Sequence, residues 1–153
     1  MSDALTIVTS GDKWMNSSLS FRDVITLLLN KTSKSLFITA YAINNESIID
    51  ELIKVIEKEI PQIVLYVYSG DKISIIPNIS RLRKYDYEGS NFKIIEIKQS
   101  ILHAKVLVVD NLYVICGSAN LTNSAMTSNY EMGLMVENAQ IASQITQLLI
   151  KLS

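Results

Sequence analysis

With 153 residues and 48% hydrophobic composition, the chain is long enough to bury a substantial core, and its length predicts a single domain over 1–153. Its 14 basic and 15 acidic side chains leave a net charge of -1, which excludes whole-molecule attraction to nucleic acid or to an anionic membrane. One cysteine, Cys116, and one histidine, His103, exclude an intrachain disulfide and a Cys/His metal centre.

Residues 4–9 are a short β-prone run. No basic region followed by a long apolar core stands at the start, so no export signal is expected and the chain is placed in the cytoplasm. Ser17, Ser18 and Ser20 are candidate N-caps, and Phe21, Val24, Ile25 and Leu28 recur at helical spacing, which predicts a helix over 18–31. The segment 35–43, SLFITAYAI, reads as a buried strand. Asn44 and Asn45 end it and cap a helix with an apolar stripe at Ile48, Ile49, Leu52, Ile53, Ile56 and Ile60. Pro61 is expected to stop that helix, and 62–68, QIVLYVY, forms a third strand ending in the turn Ser69-Gly70-Asp71. Pro77 suits a first helical turn and predicts a short helix over 77–87, closed by Gly89. On that helix Arg81, Arg83 and Lys84 concentrate positive charge, either as a solvated face or as a patch that steers a polyanion.

Residues 92–97 are a fourth strand, followed by the stretch 102–120, LHAKVLVVDNLYVICGSAN. Apolar runs on either side of Asp110-Asn111 predict a hairpin, because both turn residues tolerate the left-handed conformation. A two-residue turn places Val109 opposite Leu112, His103 opposite Ser118 and Lys105 opposite Cys116. Strand alternation then directs His103, Lys105, Ser118 and Asn120 to one side. A cation, two neutral donors and a nucleophile or proton carrier so arranged suit an anionic tetrahedral centre. Cys116, inside an apolar run, fits packing and a reducing compartment.

Residues 121–129 are polar and read as a loop with room for a short helical turn; 130–136 resume as a strand. Asn138 caps a final helix with Ile141, Ile145, Leu148, Leu149 and Leu152 on one face. Strand-helix alternation followed by consecutive strands and a last helix predicts an α/β fold, a mixed β-sheet flanked by helices on both faces. The apolar runs are too short to cross a bilayer, so no membrane insertion is expected.

His103-x-Lys105, Asp110 after four intervening residues, and Gly117-Ser118-x-Asn120 after six more resemble the HKD motif of the phospholipase D superfamily. A looser echo lies at Ala40-Tyr41-Ala42-Ile43, a strand end that borders the cleft in similar small nucleases. The resemblance implies a phospholipase D-like α/β/α sandwich and a metal-independent phosphodiesterase without a cofactor. His103 would form a phosphohistidine, Lys105 and Asn120 would bind the non-bridging oxygens, and Ser118 would support them. Asp110 and Gly117 would be structural members of the motif, and Glu131, in Ser128-Asn129-Tyr130-Glu131, would orient the imidazole. Short members with one motif copy pair two subunits so that two histidines meet, which implies a homodimer sharing one site. Small size and the lack of an amphipathic membrane stretch favour nucleic acid, DNA first, as substrate. A non-catalytic nucleic-acid-binding or assembly module, and a phospholipid-processing phosphodiesterase, are the competing readings.

Overall fold

The structure is a computed structural model that describes residues 4–70 and 76–153. Its strands are β1 (Ala4–Ser10), β2 (Leu19–Ser20), β3 (Ser35–Ala40), β4 (Gln62–Tyr68), β5 (Phe92–Ile97), β6 (Val106–Val109), β7 (Tyr113–Gly117) and β8 (Glu131–Glu137). The helices are α1 (Phe21–Lys31), α2 (Glu46–Glu57), α3 (Ile76–Arg83), α4 (Asn123–Met126) and α5 (Ala139–Ile150). The described strands form one mixed sheet in the order β2-β1-β8-β7-β6-β3-β4-β5. β3, β4 and β5 run parallel, whereas β3-β6, β6-β7, β7-β8 and β8-β1 are antiparallel pairs. The expected α/β fold with helices on both faces is the one observed.

Period-two alternation divides the core into two layers. Leu36 and Ile38 of β3, Leu107 and Val109 of β6 and Ile115 of β7 pack with α1 and α2 through Phe21, Ile25, Ile49 and Leu52. Phe37, Val64, Val108 and Val114 point the other way, onto Ala142 and Leu149 of α5. Among the described residues no helix is long and apolar enough to cross a membrane.

Several expected boundaries move, each for a local reason. Leu19 and Ser20 pair with β1 before the first helix begins, and the Ser20 side chain caps it by accepting from the Asp23 amide, so α1 starts at Phe21 instead of near Ser18. β3 ends at Ala40, leaving Ile43 to make an isolated bridge with Leu121. α2 ends at Glu57 ahead of Pro61, because Glu59 turns the chain with φ 57°. α3 closes at Arg83, earlier than the expected Tyr87. The turn expected at Ser69-Gly70-Asp71 lies partly outside the described residues. Arg81 pairs with Glu46 and, at 2.6 Å, with Asp50, while Arg83 pairs with Glu96, so both charges on α3 are neutralised locally. The apolar face expected of the last helix is only partly covered: Leu149 is buried beside Ala142 and Ile145 packs against the core, but Ile141, Leu148 and, beyond α5, Leu152 are exposed.

The β6-β7 turn is anchored by Asp110. Its carboxylate accepts from the amides of Ser33 (3.1 Å), Lys34 (2.7 Å) and Ser35 (3.1 Å) and from the Ser33 hydroxyl (3.3 Å). The Asp110 amide donates back to the Ser35 carbonyl at 2.8 Å, tying the hairpin tip to the start of β3. Partial burial pushes the Asp110 carboxyl up, but the Lys34, Ser35 and Ser33 donors outweigh it and hold the group below its ordinary value of 3.8. A depressed folded value means that the stabilisation is complete above the ordinary value and is lost as pH falls through the lower one. Asp110→Ala leaves three amides without their acceptor and is expected to cost about 2 kcal/mol in urea unfolding at neutral pH. The cost should shrink as the pH falls below about 4, where the wild type loses the same contribution.

Candidate active site

The backbone that carries His103 and Lys105 is held to β3 by a side chain, and to β7 by the Gly117 amide, which donates to the Lys105 carbonyl at 3.4 Å. Antiparallel pairing of β3 with β6 stops at Ile38 and Leu107. There the buried Thr39 takes over: its hydroxyl donates to the Ala104 carbonyl at 2.6 Å and accepts from the Val106 amide at 2.9 Å. The two peptides flanking Lys105 are thereby pinned to the end of β3. Lys105 folds back so that Nζ lies 3.3 Å from each ring nitrogen of His103 and 2.9 Å from the His103 carbonyl. Tyr41, just beyond β3, meets the imidazole edge-on at 4.8 Å between centroids and stacks on Tyr68 at 5.7 Å. His103 itself is exposed.

The hairpin register differs from the expected one. Asp110 and Asn111 do adopt left-handed φ values of 55° and 52°, and the Leu112 amide closes the turn onto the Val109 carbonyl at 3.0 Å. Yet the ladder resumes with Val109 opposite Tyr113, because the Leu112 carbonyl is taken by the Asn138 amide and Leu112 stands out as an extra residue. Val106 therefore faces Cys116, and neither the His103-Ser118 nor the Lys105-Cys116 pairing forms. A continued ladder would put Ser118 and Asn120 out of phase with His103 and Lys105. β7 stops at Gly117, and residues 118–120 are released from strand alternation. As a result Gly117, Ala119 and Asn120 line the same cleft as Lys105.

That cleft is a shallow one on the α1 side of the sheet end, lined also by Phe21, Ile25, Thr39 and Tyr41. His103 stands outside it, against Lys105. Asn120 is half-buried with Oδ1 unpartnered, and its place is fixed by the next residue: Leu121 donates to the Ala42 carbonyl and accepts from the amides of Asn44 and Asn45. Ser118 and Glu131 form a separate pair. The Ser118 hydroxyl donates to Glu131 and accepts from the Met132 amide, and Asn129 donates to the other Glu131 oxygen at 3.3 Å. Glu131 thus bonds to Ser118 and Asn129, where the sequence had pointed to His103.

The family model described as "Cardiolipin synthase, PLD-like domain" matches residues 25–152, most of the chain. The chain belongs to the phospholipase D-like family. Phospholipase D from Rickettsia typhi is 27% identical over 120 residues, an alignment that covers 78% of this chain and 56% of that protein, so the chain spans little more than half the length of this relative. Two solved structures share the fold: NucT from Helicobacter pylori, with TM-score 0.80 and 17% identity over 99% of this chain and 96% of that one, and the phospholipase D family member Nuc from Salmonella typhimurium, with TM-score 0.72 and 19% identity over 95% and 91%.

Two residues of this phospholipase D-like site escaped the sequence reading. Thr39 was signalled only by being a polar residue inside a continuous apolar strand. Gly133 carried no signal at all. It sits opposite Gly117, and a Cβ on Gly117 would lie 2.5 Å from the Gly133 Cα and 2.6 Å from the Met132 carbonyl oxygen. The backbones of β7 and β8 therefore approach closely only because both residues are glycine. Thr39→Val keeps the shape but leaves the Ala104 carbonyl and Val106 amide unpaired, and thermal unfolding should show a loss of about 2 kcal/mol. Gly117→Ala must push β8 away and should cost about 2 kcal/mol or more by the same measurement.

Proposed function

We propose that this chain is a metal-independent phosphodiesterase, a DNA endonuclease, that works as a homodimer with one shared site. The observation that carries the reading is the His103-Lys105 pair pinned by Thr39 beside a cleft that Asn120 enters. Lys105 and the Asn120 amide would bind the non-bridging oxygens of a phosphodiester, and the charge that develops on them in the transition state strengthens both contacts. A ring nitrogen of His103 attacks phosphorus, a P–N bond forms, and the P–O bond to the leaving group breaks. That departing oxygen needs a proton, which a ring already bonded to phosphorus does not supply. With one histidine per chain, the proton comes from His103 of a second copy. The same second imidazole then takes a proton from water as the water attacks phosphorus and the P–N bond breaks, which restores both rings.

Glu131 acts through Ser118: accepting its hydroxyl hydrogen fixes the Ser118 oxygen on the Met132 amide and holds the start of β8 against the motif. In support of nucleic acid as substrate, the chain superposes nearly end to end on Nuc and NucT. A second reading, phospholipid processing in the same chemistry, draws on the family description and on the name of the Rickettsia relative.

The test is a substrate panel of single- and double-stranded DNA, RNA, a nitrophenyl diester and phosphatidylglycerol vesicles, each in EDTA. DNA and diester cleavage should persist in EDTA and fall by on the order of a thousandfold or more in His103→Ala. Turnover of the vesicles alone selects the lipid reading, and activity retained by His103→Ala rules out the nucleophile.

A further inference from the structure

Tyr41 and Tyr68 stand one residue beyond Ala40 and Val67, the last pair that joins β3 to β4. Parallel neighbours that run on past their ladder keep their side chains adjacent, so two aromatic residues there meet across the strand ends. Their rings lie 5.7 Å apart and 6° from parallel. Tyr68 is itself paired with Ile97 of β5 and packs against the α5-side layer, so its ring is the fixed member of the stack. Tyr41, in turn, meets the His103 imidazole at 4.8 Å with 68° between the planes, and Lys105 Nζ lies 5.5 Å from the Tyr41 centroid.

We infer that Tyr41, braced by Tyr68, is a positioning residue that sets the direction of the His103 ring for attack; the inference rests on the phosphodiesterase reading above and adds to it the group that aims the nucleophile. An exposed imidazole turns about its side-chain bonds unless something restrains it, and misdirection of the attacking nitrogen costs rate steeply. The carboxylate that the motif resemblance assigned to this task is bonded to Ser118 and Asn129. Among the described residues, the polar and aromatic partners of the ring are Lys105 and Tyr41. Lys105 does not aim it. A point 3.3 Å from both ring nitrogens and clear of the carbon between them lies off the ring plane, so the ammonium stands over the face, in line with neither nitrogen's in-plane lone pair. The aromatic contact restrains the ring plane and uses neither nitrogen, which a nucleophile must keep available.

His103 is the only histidine, so its ring protons give the only imidazole signals in an NMR spectrum of the full chain. The experiment compares the shifts and relaxation of those signals in wild type, Tyr41→Leu, Tyr41→Phe and Tyr68→Leu. It sets them beside kcat and KM for single-stranded DNA and for a nitrophenyl diester, with circular dichroism as the check on folding. Tyr41→Leu should move the ring signals toward those of free histidine and increase the motion of the ring. It should also lower kcat by on the order of tenfold to a hundredfold on both substrates, with KM little changed. Tyr68→Leu should shift both readouts in the same direction by less, and Tyr41→Phe, which keeps the ring, should recover most of the wild-type signal and rate. Ring signals unmoved by Tyr41→Leu, signals that move with kcat intact, or a Tyr41→Phe chain that behaves like Tyr41→Leu overturn the inference and leave the phosphodiesterase reading standing. So does a loss confined to KM for DNA, which would make Tyr41 a contact for a base. A wild type that cleaves no diester of the panel above overturns the phosphodiesterase reading, and the inference with it.

Discussion

The Thr39 hydroxyl is the contact on which the candidate site depends. It is buried at the end of a strand whose neighbours are all apolar, and a hydroxyl in that position is tolerated because both of its hydrogen-bonding capacities are used. It gives one bond and accepts one from the same short segment of chain, and so does the work of the rung that the sheet no longer supplies. A regular ladder would send His103 and Lys105 along the strand direction with their peptides occupied. Ending the ladder one residue early lets Lys105 fold back over His103 while the backbone stays fixed. Here the polar group stabilises a departure from regular structure.

The same logic recurs on the other strand. β7 stops at Gly117, where the close approach of Gly133 permits no side chain, and the next three residues leave the sheet. Ser118 is then caught by Glu131 and the Met132 amide, and Leu121 by the segment after β3. Asn120 lies between those two anchor points. Two strands therefore release their ends together, and a family motif that looks continuous in sequence is built from two irregular segments braced by different neighbours. Asp110, at the far end of the hairpin, fixes β6 against β3 and with it the position of Thr39 relative to Ala104.

The single histidine bears on the proposed mechanism: a site that uses two imidazoles, in a chain that offers one, calls for a second copy. Both buried layers of the isolated chain are filled without it.

Much of the fold was legible in the sequence, because hydrophobic periodicity and turn chemistry act over a few residues. The β4 and β5 strands, the Asn45 and Asn138 caps, the left-handed Asp110-Asn111 turn and the α/β layering all follow from local patterns. So did the family, since the spacing of His103, Lys105, Gly117 and Asn120 is a property of the chain alone. What the sequence did not determine depends on partners distant along the chain. The hairpin register shifted because the Asn138 amide, beyond β8, takes the Leu112 carbonyl. The Glu131 carboxylate found Ser118 because β8 lies beside β7. α5 left Ile141 and Leu148 in solvent because its helical stripe does not tell which flank the sheet will meet. Periodicity fixes what a segment is, but only the packed sheet decides what each side chain touches.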